Sequence, residues 1–217
     1  MSSFNSQINR YLNQYLLEQS KDYNVVGIFP GAFKPPHNGH FQVALQACNS
    51  CDNVYVFVSN KERPLVKEPS TKKKTEMPDI ARYNNIFNSD KYTSNLMSVD
   101  AVDPIFGETS ATIVRKAIEL QDVETVKENL PDEIGNDKDK VVDILLNNQG
   151  TITIDHTMAI WDIYKKYLIQ NSNLNDENIN IQVAIPSPVK DTYDLVDELN
   201  KSEDASRTVV KLYVGGK

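Results

Sequence analysis

The chain is poor in cysteine: Cys48 and Cys51 are the two among 217 residues. Two thiols cannot build a disulfide framework, and a chain of this length does not need one. Their Cys-x-x-Cys spacing comes without the second Cys/His pair that a four-ligand zinc site requires. Reduced thiols in a cytoplasmic protein are therefore expected. Long apolar runs are missing as well, and none approaches the roughly eighteen residues of a membrane span. The stretch before Asn24 is polar and holds no signal-peptide core. Eight glycines and ten prolines are too few for a collagen-like or proline-rich chain. Positive charge is in deficit, with 23 Lys plus Arg against 30 Asp plus Glu and a net charge of −7. General nucleic-acid binding needs the opposite balance. Neither nucleic acid nor membrane is an expected partner, whereas a local basic site for a small phosphate ligand stays open, as does a homo-oligomer.

What is present is the patterning of an α/β protein. Residues 4–20 space Phe4, Ile8, Tyr11, Leu12, Tyr15 and Leu16 as a helix. Residues 25–29 and 54–58 are short apolar runs that read as buried strands, with a helix over 40–47 between them. That is a parallel crossover unit. Residues 62–78 hold prolines and three consecutive lysines, Lys72, Lys73 and Lys74, and read as a mobile linker. Further helices are expected over 80–87, 110–120, 123–130, 138–146, 160–168 and 192–199. Further strands are expected over 96–102, 179–185 and 209–214. Alternation of this kind predicts one Rossmann-like domain over 1–217, a parallel sheet flanked by helices.

The informative stretch is Gly31-Ala32-Phe33-Lys34-Pro35-Pro36-His37-Asn38-Gly39-His40. It falls between the first strand and the helix that follows, where open α/β sheets bind ligands. Glycine permits close backbone approach to a phosphate, and a helix N-terminus offers free N–H groups and the positive dipole end. His37 and His40, three apart, share one side of the first turn, and Lys34 adds a cation beside them. Such a group suits an α-phosphate whose charge grows in a transition state. A plain loop with two surface histidines, or a His-x-x-His metal site lacking a third ligand, are the alternatives.

These residues resemble the signature of the nucleotidyltransferase superfamily that shares a His-x-Gly-His motif with class I aminoacyl-tRNA synthetases. The resemblance implies transfer of a nucleotidyl group from ATP or CTP to a small phosphate or nucleotide, with Mg²⁺ assisting and pyrophosphate leaving. His37, His40, Lys34 and Arg115 would then be catalytic, and Gly31, Phe33 and Gly39 would line the nucleotide. The superfamily's second signature, Ser-x-Thr-x-x-Arg, is similar to Ser110-Ala111-Thr112-Ile113-Val114-Arg115. Ser110 is a good N-cap, and an arginine one turn on can fork two phosphate oxygens. By resemblance Ser110, Thr112 and Arg115 hold the β- and γ-phosphates. The two motifs look most like those of nicotinamide mononucleotide adenylyltransferases and their phage-encoded relatives. Cytidylyltransferases of the superfamily usually carry Arg-Thr-x-Gly-Ile-Ser-Thr-Thr as the second motif, so ATP is the expected co-substrate. Phosphopantetheine adenylyltransferases usually have Thr where His37 stands.

Weaker candidates surround these. Lys61 and Arg63, after the second strand, could meet the acceptor or be solvated charges. Asp79, Arg82 and Tyr83 open a helix. Trp161 could stack on a base or belong to the core, and His156 reads as structural or surface. The second motif also arrives early. In relatives, a strand ending like Val214-Gly215-Gly216-Lys217 leads into an Asp-x-x-Arg-Tyr helix, which here stands far upstream at Asp79. The simplest reading exchanges segments 79–149 and 151–217 relative to the family. The 151–217 segment then inserts into the main sheet, with Gly215 and Gly216 beside the nucleotide. A separate appended domain is the alternative.

Overall fold

The computed structural model describes residues 23–65, 82–87, 98–102, 111–147 and 150–213. The expected helix over 4–20, most of the 62–78 linker, and Asp79, Ser110, Gly215 and Gly216 lie outside these residues.

Five parallel strands form the main sheet: β1 (Asn24–Gly31), β2 (Asn53–Ser59), β4 (Ser98–Val102), β6 (Ile179–Ala184) and β7 (Thr208–Tyr213), in the order β4-β7-β1-β2-β6. The registers pair Val26 with Asn53, Val25 with Val209, Val54 with Ile179 and Ser98 with Val209. Side chains of a strand alternate between faces. Val54, Val56 and Val58 accordingly join one core cluster, and Phe57 joins the other.

The first face is covered by α1 (Asn38–Cys48) and α6 (Ile154–Gln170), through Phe41, Ala44, Trp161 and Tyr164. Behind them the same cluster takes in α3 (Ala111–Glu119), α4 (Val123–Glu128) and α5 (Asp137–Leu146). The second face is covered by α7 (Pro188–Lys201) through Val196 and by Ile86 of α2 (Asn84–Phe87). A second, two-stranded sheet pairs β3 (Arg63–Pro64) antiparallel with β5 (Thr151–Ile152). No described helix is long and apolar enough to cross a membrane.

Several helices begin earlier than apolar spacing alone predicts, and their caps explain it. α6 starts at Ile154 because Thr153 accepts from the His156 N–H at 3.3 Å while His156 Nδ1 accepts from the Thr153 N–H at 3.2 Å. This reciprocal box satisfies two donors the helix leaves unpaired. His156 is thus a capping residue. α7 starts at Pro188 because Ser187 accepts from the Lys190 N–H at 3.3 Å and proline suits the first helical turn.

The sheet order has one notable property. Read from β6, the strands occupy places 3-2-1-4-5 of a doubly wound sheet. The chain visits those places as 1, 2, 5, 3, 4. Exchanging the segment that carries β4 with the one that carries β6 and β7 would make the visits sequential.

Candidate active site

β1 ends at Gly31, and the loop from Ala32 to His37 turns into α1. Phe33 takes a positive φ of 49°. Its ring is buried and packs edge-on to Phe29 at 4.7 Å, His40 at 5.0 Å and Trp161 at 5.3 Å. A Cβ on Gly31 would meet that ring at 2.6 Å. Glycine is therefore required at 31 by the Phe33 ring. Phe33 shapes the loop from within, and fully buried Trp161 backs it as a core residue. Gly31→Ala is expected to lower stability by about 1–3 kcal/mol, the usual effect of forcing an overpacked contact. Thermal unfolding checks this, and an unchanged Tm would mean that the ring swings aside freely.

His37 is the N-cap of α1, with extended backbone, and His40 sits one turn in. Their rings lie 3.7 Å apart between centroids, tilted by 31°. The His37 N–H donates to His40 Nδ1 at 3.3 Å. An imidazole that accepts at Nδ1 and is neutral carries its proton on Nε2. Burial, with His37 beside it, holds the His40 pKa well below the ordinary imidazole value. Burial and the Arg115 charge pull His37 down to about 4. Both rings are thus neutral near pH 7, and the Nε2–H of His40 is a fixed donor. His37 Nδ1 is buried without a partner among the described residues. The Gly39 N–H, in the first turn of α1, likewise has no acceptor among them. Orphaned groups of this kind at a helix N-terminus form an anion site.

Lys34 is almost wholly buried, and its ammonium donates to the Ser59 carbonyl at the end of β2. Burial and the nearby Arg63 charge lower its pKa to about 8, against a smaller opposing pull from Glu62. Arg115 joins the two sequence motifs. One guanidinium nitrogen donates to the Lys34 carbonyl at 2.8 Å and the other to Thr112 Oγ1 at 3.0 Å. Arg115 thus already forks two neutral oxygens of the protein, and it stands within electrostatic reach of His37. Lys34, His37, His40, Thr112 and Arg115 are brought together from segments about eighty residues apart in sequence.

Sequence reasoning left Arg63 either meeting the acceptor or solvated, and in the fold its charge reaches both Lys34 and Arg115. The signal was its position just past β2. Both cysteines are buried and unbridged; burial pushes the Cys48 thiol up to about 12 and raises Cys51 as well. Among the described residues no three His, Cys, Asp or Glu side chains gather as metal ligands.

Unpaired donors and cations thus gather at the carboxyl end of the central strand of a parallel doubly wound sheet, where such sheets bind ligands. The chain belongs to the cytidylyltransferase-like family, whose sequence profile matches residues 28–153, more than half of its length. No curated protein and no solved structure matches the chain.

Proposed function

We propose that residues 1–217 form one cytoplasmic enzyme domain that transfers AMP from ATP to a small phosphate or mononucleotide, with nicotinamide mononucleotide the best-fitting acceptor. The observation that carries this is the Arg115 bridge, which joins the histidine pair and Lys34 to the second motif. An acceptor phosphate oxygen attacks the α-phosphorus in line. The new P–O bond forms as the bond to the β-phosphate oxygen breaks, and pyrophosphate leaves with that electron pair. No covalent enzyme intermediate is needed, so the protein contributes positioning and charge stabilisation.

In this reading the His40 Nε2–H and the His37 ring donate to the α-phosphate as its charge grows, and Lys34 adds a cation. Thr112, Ser110 and Arg115 hold the β- and γ-phosphates, and Gly39, Gly215 and Gly216 border the nucleotide. The donors here are imidazoles, an ammonium and guanidinium groups, and among the described residues no carboxylate cage for Mg²⁺ accompanies them. Mg²⁺ therefore enters as part of the MgATP substrate, bound through phosphates and water. ATP is preferred to CTP because the second motif is Ser110-Ala111-Thr112-Ile113-Val114-Arg115.

Pyrophosphate release from ATP and from CTP, each with a panel of phosphate acceptors, tests the proposal. Release with CTP alone would make the protein a cytidylyltransferase. ATP binding without release would make it a non-catalytic nucleotide-binding module.

Arg115→Lys should weaken binding of a non-hydrolysable ATP analogue about tenfold although the charge is kept. An ammonium cannot fork two oxygens, and one charge-assisted hydrogen bond contributes roughly 1.5–3 kcal/mol. Calorimetric titration measures the change, and an unaltered Kd would remove Arg115 from the phosphate site.

A further inference from the structure

A helix leaves the N–H groups of its first turn without partners of its own. In α1 the protein takes most of them. The His37 N–H donates to His40 Nδ1 at 3.3 Å, the Asn38 N–H to the Asn129 carbonyl at 2.8 Å and the His40 N–H to the His37 carbonyl at 2.9 Å. The Gly39 N–H is the donor of this turn left over among the described residues. What Asn129 takes therefore helps decide which donor remains for a ligand.

Asn129 closes α4, and its carbonyl is one of the acceptors that a helix end leaves unpaired. The end of α4 and the start of α1 thus satisfy each other. α4 is in turn fixed to α3. The Asp122 N–H donates to the Ala117 carbonyl at 2.9 Å, and the Asp122 side chain accepts from the Thr125 N–H at 3.1 Å. α3 also carries Arg115, which donates to the Lys34 carbonyl at 2.8 Å. One α3–α4 unit therefore grips the loop between β1 and α1 at two points, Lys34 and Asn38.

A side-chain brace runs beside this grip. The Gln42 amide, one turn beyond Asn38, donates to Asn38 Oδ1 at 3.1 Å and to Glu133 Oε1 at 2.8 Å. Both N–H groups of that amide are then used. Glu133 stands in the turn Asp132–Ile134, which fully buried Leu130 and Ile134 anchor in the core. Its other oxygen, Oε2, is buried without a partner among the described residues. Glu133 thus serves here as an acceptor for Gln42. We propose that Gln42 and Glu133 are positioning residues: they lock the first turn of α1 onto the α3–α4 unit, so that the Gly39 N–H and the histidine pair keep their register with Arg115. The effect on turnover rests on the transferase reading; the brace itself does not.

Two measurements on the full chain test this. Both side chains are half-buried, so alanine at either position should leave the protein folded. Gln42→Ala and Glu133→Ala should each lower kcat for pyrophosphate release about tenfold, because slight misplacement of groups around a transition state acts on rate. KM for ATP should change less than threefold, since Thr112 and Arg115 are untouched. The double variant should be no slower than the slower single one, because both substitutions remove the same hydrogen bond. Glu133→Gln keeps an acceptor for Gln42 and should stay within twofold of wild type. A merely structural brace would lower Tm in the alanine variants and leave kcat unmoved, which would overturn the proposal. So would equal losses in Glu133→Gln and Glu133→Ala, because the charge rather than the hydrogen bond would then matter. The second measurement needs no turnover. Amide NMR should show the Gly39 N–H resonance shifting when a non-hydrolysable ATP analogue binds. That shift should fall by at least half in both alanine variants and return in Glu133→Gln. A Gly39 resonance that does not move in the wild type, or moves equally in the alanine variants, would overturn the proposal. Shifts that respond as expected without pyrophosphate release by the wild type would instead defeat the transferase reading and leave the brace standing.

Discussion

Replacing His40 with alanine should lower kcat at least a hundredfold while the protein stays folded. The ring is neutral, because burial and His37 hold its pKa well below the ordinary value. Its Nδ1 is committed to the His37 N–H at 3.3 Å, so the remaining proton sits on Nε2. A neutral donor aimed at an α-phosphate gains most when charge accumulates on that phosphate, which is in the transition state. Removing one such preorganised donor costs roughly 3–4 kcal/mol, or two to three orders of magnitude in rate. The structural cost is smaller. The ring loses an edge-on contact with Phe33 at 5.0 Å and a face contact with His37, each worth roughly 0.5–1.5 kcal/mol. The variant should therefore melt a few degrees lower and still bind ATP. Steady-state kinetics with a thermal melt on the same preparation separate the two effects. A kcat within threefold of wild type would remove His40 from the chemistry.

The parts of this molecule that were readable in its sequence are those where one local cause acts alone. The strands at Val26, Ile28, Val54 and Val56 are apolar because both faces of a parallel sheet are covered, and that pattern needs no partner to be seen. The motif around His37 and His40 is equally local. Helix starts were misplaced where capping decides: the box between Thr153 and His156 adds nearly two turns ahead of Ile160. The pairing of Arg63 with Ile152 was invisible, because two residues of ladder have no period. The packing constraint on Gly31 was hidden for a related reason. Its missing Cβ accommodates a ring two residues on, which sequence spacing does not reveal. Likewise, the fork of Arg115 onto the Lys34 carbonyl joins positions that only the folded sheet brings together.

Deleting residues 209–217 should abolish folding altogether, because it removes nearly all of a strand that the sheet uses in its interior. β7 lies between β1 and β4, pairing Val25 with Val209 on one side and Ser98 with Val209 on the other. Val209, Val210, Leu212 and Tyr213 are at most 2% exposed. Burial of each such side chain contributes roughly 1.5–3 kcal/mol, so their combined loss rivals the whole stability of about 5–15 kcal/mol expected for a domain. Two ladders are lost at once, and β4 loses the one described strand it pairs with. A smaller lesion separates burial from chain length. Leu212→Asp keeps every residue but places a charge in the cluster of Val26, Ile28 and Val196, and should also unfold the protein. The order in which the chain visits the sheet should, by contrast, be dispensable. A rearranged chain with 151–217 joined ahead of residue 79 keeps every described strand pair, and should fold and bind ATP like the natural one. Circular dichroism, thermal melts and ATP titration of the three variants decide the matter. A folded, ATP-binding truncation would show that β7 is an ornament on a sheet complete without it, and a rearranged chain that fails to fold would show that the natural order is itself required.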